Sequence, residues 1–434
     1  MMKRISTAVL AVSLCLIMTS TAFAEGFIQK EDKWFYEDRF GELLSDELKK
    51  VDGITYYFDN DGEMLIDSLF ETNGMLYYAD NTGKVASSEW KKLFDEEANE
   101  EFWYYFSKSG KAKESGWITI DGGKYHFTDY HMDYGWYTDD EGKEYFLGDS
   151  DDGKAASGWV PYKGDDERVS EDDKPIGWYY FRPGNNTMVS DTEKKIGTKY
   201  YAFSDNGLMI DGFGIVRNNS PISLADLYVV KYYEKSTGAR ASGWRWIEGC
   251  DDPSDTVVRE DGWYYFKNGK AYSAYNNTTM ISSTVGVVKI DNDFYAFDVN
   301  GKMVTGTVVS ESDDPEYDGR YYYFDKDGRM KTGYVNVSEG EGEPLDDYMY
   351  FDKTGANVPR HGSSVTGIAG NYLYDNGVLV SAANDKYELV TISNGKTYVV
   401  SSKGIVKKSG TVTLDSGKKM KIIFDGTNYD WVEV

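Results

Sequence analysis

Cysteine, proline and histidine are scarce in this chain of 434 residues, which contains only 2, 8 and 3 of them respectively. One cysteine, Cys15, lies in an N-terminal segment that we expect to be removed, which leaves Cys250 without a partner for an internal disulfide. The sequence also lacks a Gly-x-Ser-x-Gly nucleophile elbow and a His-Glu-x-x-His metal helix. We therefore predict a protein without disulfides that is not an enzyme, uses no cofactor and binds no metal.

Positive charge is in the minority. The chain has 47 Lys and Arg against 73 Asp and Glu, a formal net charge of −26. Such a balance excludes sequence-independent binding to nucleic acid, which requires a basic surface. It also argues against attraction to anionic lipid head groups. A cationic or a neutral ligand is compatible with this charge.

Long apolar runs are confined to the first 24 residues. Lys3 and Arg4 precede a mostly apolar stretch from Ile5 to Met18, and Ala22-Phe23-Ala24 has the small-x-small pattern of a cleavage site. The apolar stretch is short for a membrane span. We predict a secretion signal over 1–24 and no membrane span after its cleavage, so the mature chain should be secreted.

Aromatic residues are abundant, with 37 Tyr and 11 Trp, and they recur in one pattern. In Trp263-Tyr264-Tyr265-Phe266 an aromatic strand leads to a turn glycine, Gly269. Self-similarity of this kind indicates a repeat fold. Further copies are Tyr56-Tyr57-Phe58 before Gly62, Trp103-Tyr104-Tyr105-Phe106 before Gly110, Trp178-Tyr179-Tyr180-Phe181 before Gly184, and Tyr322-Tyr323-Phe324 before Gly328.

Each copy predicts a β-hairpin, because aromatic residues favour strands and Asn-Gly or Asp-Gly sequences favour tight turns. The common frame is a variable slot followed by Tyr-Tyr-Phe. Side chains alternate along a strand, so the slot and the second Tyr share one face, and the first Tyr and the Phe share the other. We predict an all-β chain, a β-hairpin solenoid of about a dozen aromatic repeats.

The predicted organisation has four parts: a signal peptide over 1–24, a lead-in or cap over 25–50, the repeats over 51–383, and a β segment or capping repeats over 384–434. The last part alternates Val, Thr, Ile and Leu in place of stacked Tyr. Three polar stretches interrupt the repeats and are predicted to be loops inserted in hairpins. They are 161–176, 216–242 and 248–261.

The repeats resemble the cell-wall-binding repeat superfamily, which includes choline-binding, glucan-binding and clostridial-toxin repeats. The resemblance covers roughly 33–380. The motifs that carry it are Ser157-Gly158-Trp159, Gly177-Trp178-Tyr179-Tyr180-Phe181, Ser242-Gly243-Trp244, Gly262-Trp263-Tyr264-Tyr265-Phe266 and Lys331-Thr332-Gly333-Tyr334. The resemblance implies a hairpin solenoid with shallow aromatic sites between neighbouring hairpins.

Choline sites of this superfamily combine the Trp of Gly-Trp, the Trp of Trp-Tyr-Tyr and an aromatic residue of an adjacent repeat. Transferred to this sequence, the resemblance implies pairs with a third wall from Tyr200 or Phe294. Trp117 and Trp136 would lack an aromatic partner, because lysines occupy the matching slots. The implied pairs are Trp90 with Trp103, Trp159 with Trp178, Trp244 with Trp263, and Tyr334 with Tyr348.

Three functions remain open. The first is a secreted, non-catalytic protein that attaches to cell-wall polysaccharide, glucan or another carbohydrate through these aromatic sites. The second is a surface protein of the same fold that binds the choline of teichoic acid. The third is a structural or adhesive surface protein whose repeats are scaffold only.

Overall fold

The computed structural model describes residues 25–215, 230–251, 258–338, 340–425 and 428–434. Every regular element in these ranges is a β-strand, which confirms the predicted all-β fold of hairpin repeats. The chain divides into two compact units, Met1–Ser190 with Asp205–Leu208, and Asp191–Ser204 with Met209–Val434. The predicted signal peptide lies outside the described residues. Within these ranges there is no helix of the length and apolarity that crossing a membrane would require.

The first unit is a succession of antiparallel hairpins, mostly formed by strands that are consecutive in sequence. Its strands are β1 (Gly26–Lys30), β2 (Lys33–Glu37), β3 (Glu47–Val51), β4 (Ile54–Phe58), β5 (Ser68–Thr72), β6 (Met75–Ala79), β7 (Glu89–Asp95), β8 (Glu100–Phe106), β9 (Gly116–Ile120), β10 (Gly123–Thr128), β11 (His131–Met132), β12 (Trp136–Thr138), β13 (Glu144–Phe146), β14 (Gly158–Tyr162) and β15 (Gly177–Phe181).

The second unit continues in the same way and adds short third or fourth strands to several hairpins. Its strands are β16 (Thr192–Ile196), β17 (Lys199–Phe203), β18 (Gly212–Gly214), β19 (Lys231–Tyr233), β20 (Gly243–Ile247), β21 (Cys250–Asp251), β22 (Val258–Arg259), β23 (Gly262–Lys267), β24 (Lys270–Ala271), β25 (Thr279–Met280), β26 (Val285–Ile290), β27 (Asp293–Asp298), β28 (Met303–Val304), β29 (Gly306–Val309), β30 (Tyr321–Phe324), β31 (Gly333–Asn336), β32 (Tyr348–Phe351), β33 (Gly367–Ala369), β34 (Tyr372–Asp375), β35 (Val378–Leu379), β36 (Glu388–Thr391), β37 (Thr397–Val400), β38 (Gly410–Thr413), β39 (Lys419–Phe424) and β40 (Tyr429–Glu433).

An aspartate organises the turn that follows many hairpins. The Asp59 carboxylate accepts backbone N–H bonds from Asp61 and Glu63, at 3.0 and 2.9 Å, while Gly62 has a φ of 81°. A short carboxylate that bonds nearby backbone stabilises a turn, and glycine supplies the positive φ at little steric cost. Many acidic residues of this chain therefore have a conformational role. Asp80, Asp139, Asp298 and Asp325 repeat the pattern.

One recurring backbone hydrogen bond joins many of the hairpins to the hairpin before them. After the turn at Gly62, the N–H of Met64 donates to the carbonyl of Trp34 on β2, at 2.7 Å. We call this bond the stitch, and it places consecutive hairpins at a constant offset. Further stitches are Val85 to Thr55, Ala112 to Leu76, Ala155 to Lys124 and Met188 to Glu144 in the first unit, and Arg240 to Tyr200, Met330 to Phe294, Ser364 to Tyr321 and Val406 to Asn371 in the second.

The first Tyr and the Phe of the aromatic frame form the core, as the predicted alternation requires. Tyr104 and Phe106 are buried, whereas Trp103 and Tyr105 on the other face keep some exposure. Burial of a large aromatic side chain contributes about 2–3 kcal/mol relative to its exposed state. The same pair is buried in later hairpins, namely Tyr179 with Phe181, Tyr264 with Phe266, and Tyr322 with Phe324.

All three predicted loops are wrong in part. The stretch 216–242 contains β19, which pairs with β18, and 248–261 contains the paired strands β21 and β22. The aromatic pair Tyr232-Tyr233 accounts for the first difference, because both side chains are buried. Of the stretch 161–176, residues 163–176 do lie between the paired strands β14 and β15, whereas Pro161 and Tyr162 belong to β14. Parts of the other two stretches, 216–229 and 252–257, lie outside the described residues.

The segment 384–434 forms the hairpin β36–β37 and the three-stranded sheet of β38, β39 and β40. Aliphatic residues replace tyrosine in its core, where Val399, Leu414, Met420 and Ile422 are buried together. The predicted boundaries at 50 and 383 stay predictions.

Gly301→Ala should destabilise the second unit more than Gly333→Ala. Both glycines have a positive φ, +88° and +83°, and a left-handed conformation costs an L-residue about 1–2 kcal/mol. A Cβ at Gly301 would also lie 2.8 Å from the Tyr272 carbonyl oxygen, whereas a Cβ at Gly333 would meet open space. The urea midpoints of the two variants, followed by circular dichroism, measure the difference. Equal midpoints would contradict the close approach at Gly301.

Candidate aromatic binding site

Aromatic side chains of neighbouring hairpins converge on Trp90. Trp90 on β7 lies directly across from Tyr105 on β8, and Trp103 lies two residues before Tyr105 on the same face. The ring centroids of Trp90 and Tyr105 are 5.1 Å apart, and those of Trp90 and Trp103 are 6.4 Å apart at an interplanar angle of 85°. Within this hairpin, β8 thus supplies two walls next to Trp90.

The following hairpin supplies the remaining walls. Tyr125 and Phe127 on β10 lie 5.0 and 5.7 Å from the Trp90 ring. We call this group the Trp90 cage, and its members are Trp90, Trp103, Tyr105, Tyr125 and Phe127. Phe127 is fully buried, and the other four rings keep partial exposure. The cage therefore has a packed floor and aromatic walls that a small ligand can reach.

Asp151 fixes the indole of Trp103. The Trp103 Nε1–H donates to Asp151 Oδ1 at 3.0 Å, and Lys92 Nζ lies 2.7 Å from the same oxygen. The hydrogen bond from Lys92 and that from Trp103 hold the pKa of Asp151 below its usual value, so this carboxylate is ionised. An ionised carboxylate at the rim favours a cationic over an anionic ligand, although Lys92 offsets part of its charge.

Trp159 and Trp178 repeat the first part of this arrangement. Trp159 lies across from Tyr180 with ring centroids 5.1 Å apart, and Trp178 stands 6.4 Å from Trp159 at 84°. Trp178 is 46% exposed. The geometry within this hairpin matches that of Trp90, Tyr105 and Trp103 to within 0.1 Å in centroid distance.

The predicted pair of Trp244 with Trp263 is wrong. Trp263 lies directly across from Trp246 and contacts that indole at 5.8 Å, edge to face. Trp244 contacts Tyr265 at 5.1 Å and Tyr295 at 4.8 Å instead. In the other two hairpins the position of Trp246 is occupied by Pro161 or Lys92. No indole lies directly across from Trp178 or Trp103 there, and these side chains contact Trp159 and Trp90.

The predicted third walls also differ from the structure. Phe294 is buried beside His361, 4.9 Å away, and its neighbour Tyr295 faces Trp244, because alternate residues of a strand point to opposite faces. Tyr200 is covered by the Arg240 guanidinium, 4.0 Å from the ring centroid. Phe294 therefore presents no aromatic face to Trp244.

Tyr334 and Tyr348 form a stacked pair. Their centroids are 5.6 Å apart at an interplanar angle of 19°, and the two side chains are 56% and 46% exposed. Tyr350, across from Tyr334, stacks on Tyr374 of the next hairpin at 4.7 Å. This group is more open than the Trp90 cage, so it offers a surface rather than an enclosure.

The prediction that Trp117 and Trp136 lack aromatic partners is wrong. Trp117 lies 4.7 Å from Tyr145, and Trp136 lies 5.0 Å from Tyr179. The sequence frame expects an aromatic partner in the slot of the same hairpin. Tyr145 and Tyr179 belong instead to the hairpin that follows. Their contacts also include a lysine, Lys124 at Trp117 and Lys174 at Trp136.

Several members of these groups were not predicted as site residues. Tyr105, Tyr125 and Tyr265 are not among the residues that the resemblance implies, although alternation places Tyr105 and Tyr265 on the face of the slot. Trp246 is two residues beyond Trp244 and so shares its face, which is a signal in the sequence. The described ranges contain no group of three or more His, Cys, Asp or Glu placed to hold a metal ion.

Comparison with protein-family models gives three matched segments. Residues 45–90 match the model described as a choline-binding repeat, and 115–129 and 316–330 match the putative cell wall binding repeat. These three segments are therefore similar to choline-binding and cell-wall-binding repeats. Repeats of this type suggest association with the cell-wall surface. The first matched segment ends at Trp90 of the cage.

Solved structures of repeat proteins from Streptococcus pneumoniae are similar at low identity. The structure of CbpJ, from strain TIGR4, is 21% identical and covers 71% of this chain and all of its own, with a TM-score of 0.38. Choline binding protein F, solved with a peptidoglycan analogue, is 20% identical over 80% of this chain and all of its own, with a TM-score of 0.38. The modular autolysin LytC is 17% identical over 70% of this chain and 52% of its own, with a TM-score of 0.39. No curated protein sequence matches the chain.

Tyr145→Phe should destabilise the first unit at neutral pH and much less at high pH. Burial, together with the hydrogen bond to Asp139 Oδ2 at 3.0 Å, raises the pKa of Tyr145 to about 12. The folded pKa exceeds the ordinary value near 10, so the contribution of neutral Tyr145 is complete below pH 10 and is lost as the pH rises to about 12. Near neutral pH the lost hydrogen bond is worth about 1 kcal/mol.

Urea midpoints of the natural chain and of Tyr145→Phe, measured from pH 8 upward, check this expectation. The difference between the two midpoints should shrink above pH 10. A difference that stays constant over this range would mean that the hydroxyl is not linked to stability.

Proposed function

We propose that this chain attaches to the cell wall by binding the choline of teichoic acid in aromatic cages between its hairpins. The observation that supports the proposal most is the Trp90 cage, which lies at the end of the segment matched by the choline-binding repeat model. From the sequence alone, a general carbohydrate ligand ranks first and choline second. The matched segments favour choline.

The physical basis is the attraction between a quaternary ammonium and aromatic faces. Each cation–π contact contributes about 0.5–2 kcal/mol, depending on desolvation, and the walls of the Trp90 cage can surround one trimethylammonium group. Trp90 forms one wall. The other three walls have ring centroids 5.0–6.4 Å from that of Trp90, and they are Trp103, Tyr105 and Tyr125. The Trp159 and Trp178 pair repeats two of these walls.

Several weak sites on one chain can give firm attachment, because a polymer with many choline groups engages them together. The net charge of −26 would also raise the local concentration of a cationic ligand. The exposed Tyr334 and Tyr348 pair can add a further, shallower contact. We propose, in addition, that the protein is secreted and acts by binding without catalysis; release of soluble fragments from purified walls by the recombinant chain would contradict the second part.

We expect choline to release the chain, expressed from residue 25, from a quaternary-amine resin. Trp103→Ala or Trp178→Ala should lower the choline concentration at which the chain leaves the resin. Loss of one wall removes about 0.5–2 kcal/mol, which corresponds to about 2- to 30-fold weaker binding at that cage. The affinity is measured by tryptophan fluorescence during titration with choline chloride.

Trp246→Ala is the matched control, because Trp246 is 54% exposed but pairs directly with Trp263 outside the cages. It should leave choline affinity unchanged. If soluble glucan but not choline released the chain, and Trp246→Ala changed that release, the ligand would be a carbohydrate and the proposal would be overturned. Retention that neither ligand affects would leave the repeats as scaffold.

A further inference from the structure

The hairpin of β9 and β10 contains an aromatic group built like the Trp90 cage but with a lysine in the slot. Trp117 lies across from His126, as Trp90 lies across from Tyr105. Two residues before His126 is Lys124, in the register position that Trp103 occupies in the previous hairpin. The backbone register is therefore the same, while His126 replaces Tyr105 and Lys124 puts a cation where Trp103 puts a wall.

The ammonium of Lys124 lies against two rings. Its Nζ is 4.1 Å from the Trp117 ring centroid and 5.4 Å from that of Tyr145, both within the range of a cation–π contact. Trp117 also lies 4.8 Å from His126 and 5.7 Å from Tyr137. We call this group the Trp117 cage, and its walls are Trp117, His126, Tyr137 and Tyr145.

The surroundings of this ammonium differ from those of an ordinary surface lysine. Among the described residues no carboxylate forms an ion pair with Lys124, and its polar contact is the carbonyl oxygen of Asn185 at 3.4 Å. Burial lowers the pKa of Lys124, which indicates a cation partly withdrawn from water. Lys174 at Trp136 is different, because its charge is paired with Glu144 at 2.6 Å.

We propose that Lys124 is an intramolecular ligand: its ammonium occupies the Trp117 cage as a substitute for a quaternary ammonium, so this cage is closed to external ligand until the side chain is shortened. The inference rests on the proposed function only for the nature of the external ligand. It identifies the slot as the residue that decides whether a cage is available. Trp103 leaves the Trp90 cage available, and Lys124 fills the next one.

Occupancy can be measured without any external ligand. Reductive methylation with ¹³C-formaldehyde labels the lysines of the full chain from residue 25 as dimethylammonium groups, which keep their charge. The Lys124 signal, assigned by its absence in Lys124→Ala, should lie upfield of the Lys143 signal because of the aromatic ring currents. Trp117→Leu should move it back. A Lys124 signal at the position of exposed Lys143, which pairs with Glu141, would overturn the proposal.

Availability is measured by the stoichiometry of choline chloride binding in equilibrium dialysis. Lys124→Ala should bind one choline more per chain than the natural sequence, and Lys124→Ala combined with Trp117→Leu should lose that increment. Lys143→Ala is the matched control and should add no site. Circular dichroism of each variant establishes that the fold is retained. If Lys124→Ala does not fold, Lys124→Arg assigns the Lys124 signal instead, because reductive methylation does not label a guanidinium.

The outcomes separate this inference from the proposed function. If the natural chain binds choline and Lys124→Ala adds no site, the inference is overturned and the proposed function stands. If the natural chain binds none and Lys124→Ala binds one, the inference stands and the proposed function fails. If neither binds choline, the Trp117 cage does not accept a quaternary ammonium, and both are overturned.

Discussion

The repeated structure depends on the stitch, the backbone hydrogen bond that many of the hairpins donate to the hairpin before them. A two-stranded hairpin alone is at best marginally stable in water, since it can bury only one face. The stitch from Met64 to Trp34, and its equivalents along the chain, place the next hairpin where its aromatic residues cover that face. Stability is thereby shared between neighbours, as in other repeat proteins.

The same short aromatic sequence supplies both the core and the candidate sites. In Trp103-Tyr104-Tyr105-Phe106 alternation sends Tyr104 and Phe106 inward and leaves Trp103 and Tyr105 beside Trp90. A cage then needs no dedicated loop, because Trp103 and Tyr105 are the outward residues of a strand whose inward residues are fixed by packing. Walls held in this way are already ordered before a ligand arrives, which lowers the entropic cost of binding.

The hairpins and the division of each strand into an inner and an outer face could be predicted from the sequence, because both follow from the turn residues and from the two-residue period. The aromatic contacts between one hairpin and the next could not be predicted from the sequence. Trp117 and Trp136 find their aromatic neighbours on the following hairpin, and their spacing in sequence varies with the inserted loops. Within the β20–β23 hairpin, Trp263 contacts Trp246 because the two residues are direct cross-strand partners. This direct contact replaces the diagonal contact that Trp103 makes with Trp90. Aromatic residues alone do not distinguish choline from a general carbohydrate, and the proposal of choline is based on the match of 45–90 to a choline-binding repeat model.

The stitch leaves the connection between the two strands of a hairpin unconstrained. Residues 163–176 extend the hairpin of β14 and β15, yet these strands pair in the ordinary register and Met188 still bonds to Glu144. This extension carries Lys174 back to Trp136, where the ammonium lies 4.8 Å from the ring. Hairpin tips in this chain can consequently lengthen and diversify independently, and a new tip can acquire contacts with an earlier repeat while the spacing of the array is preserved.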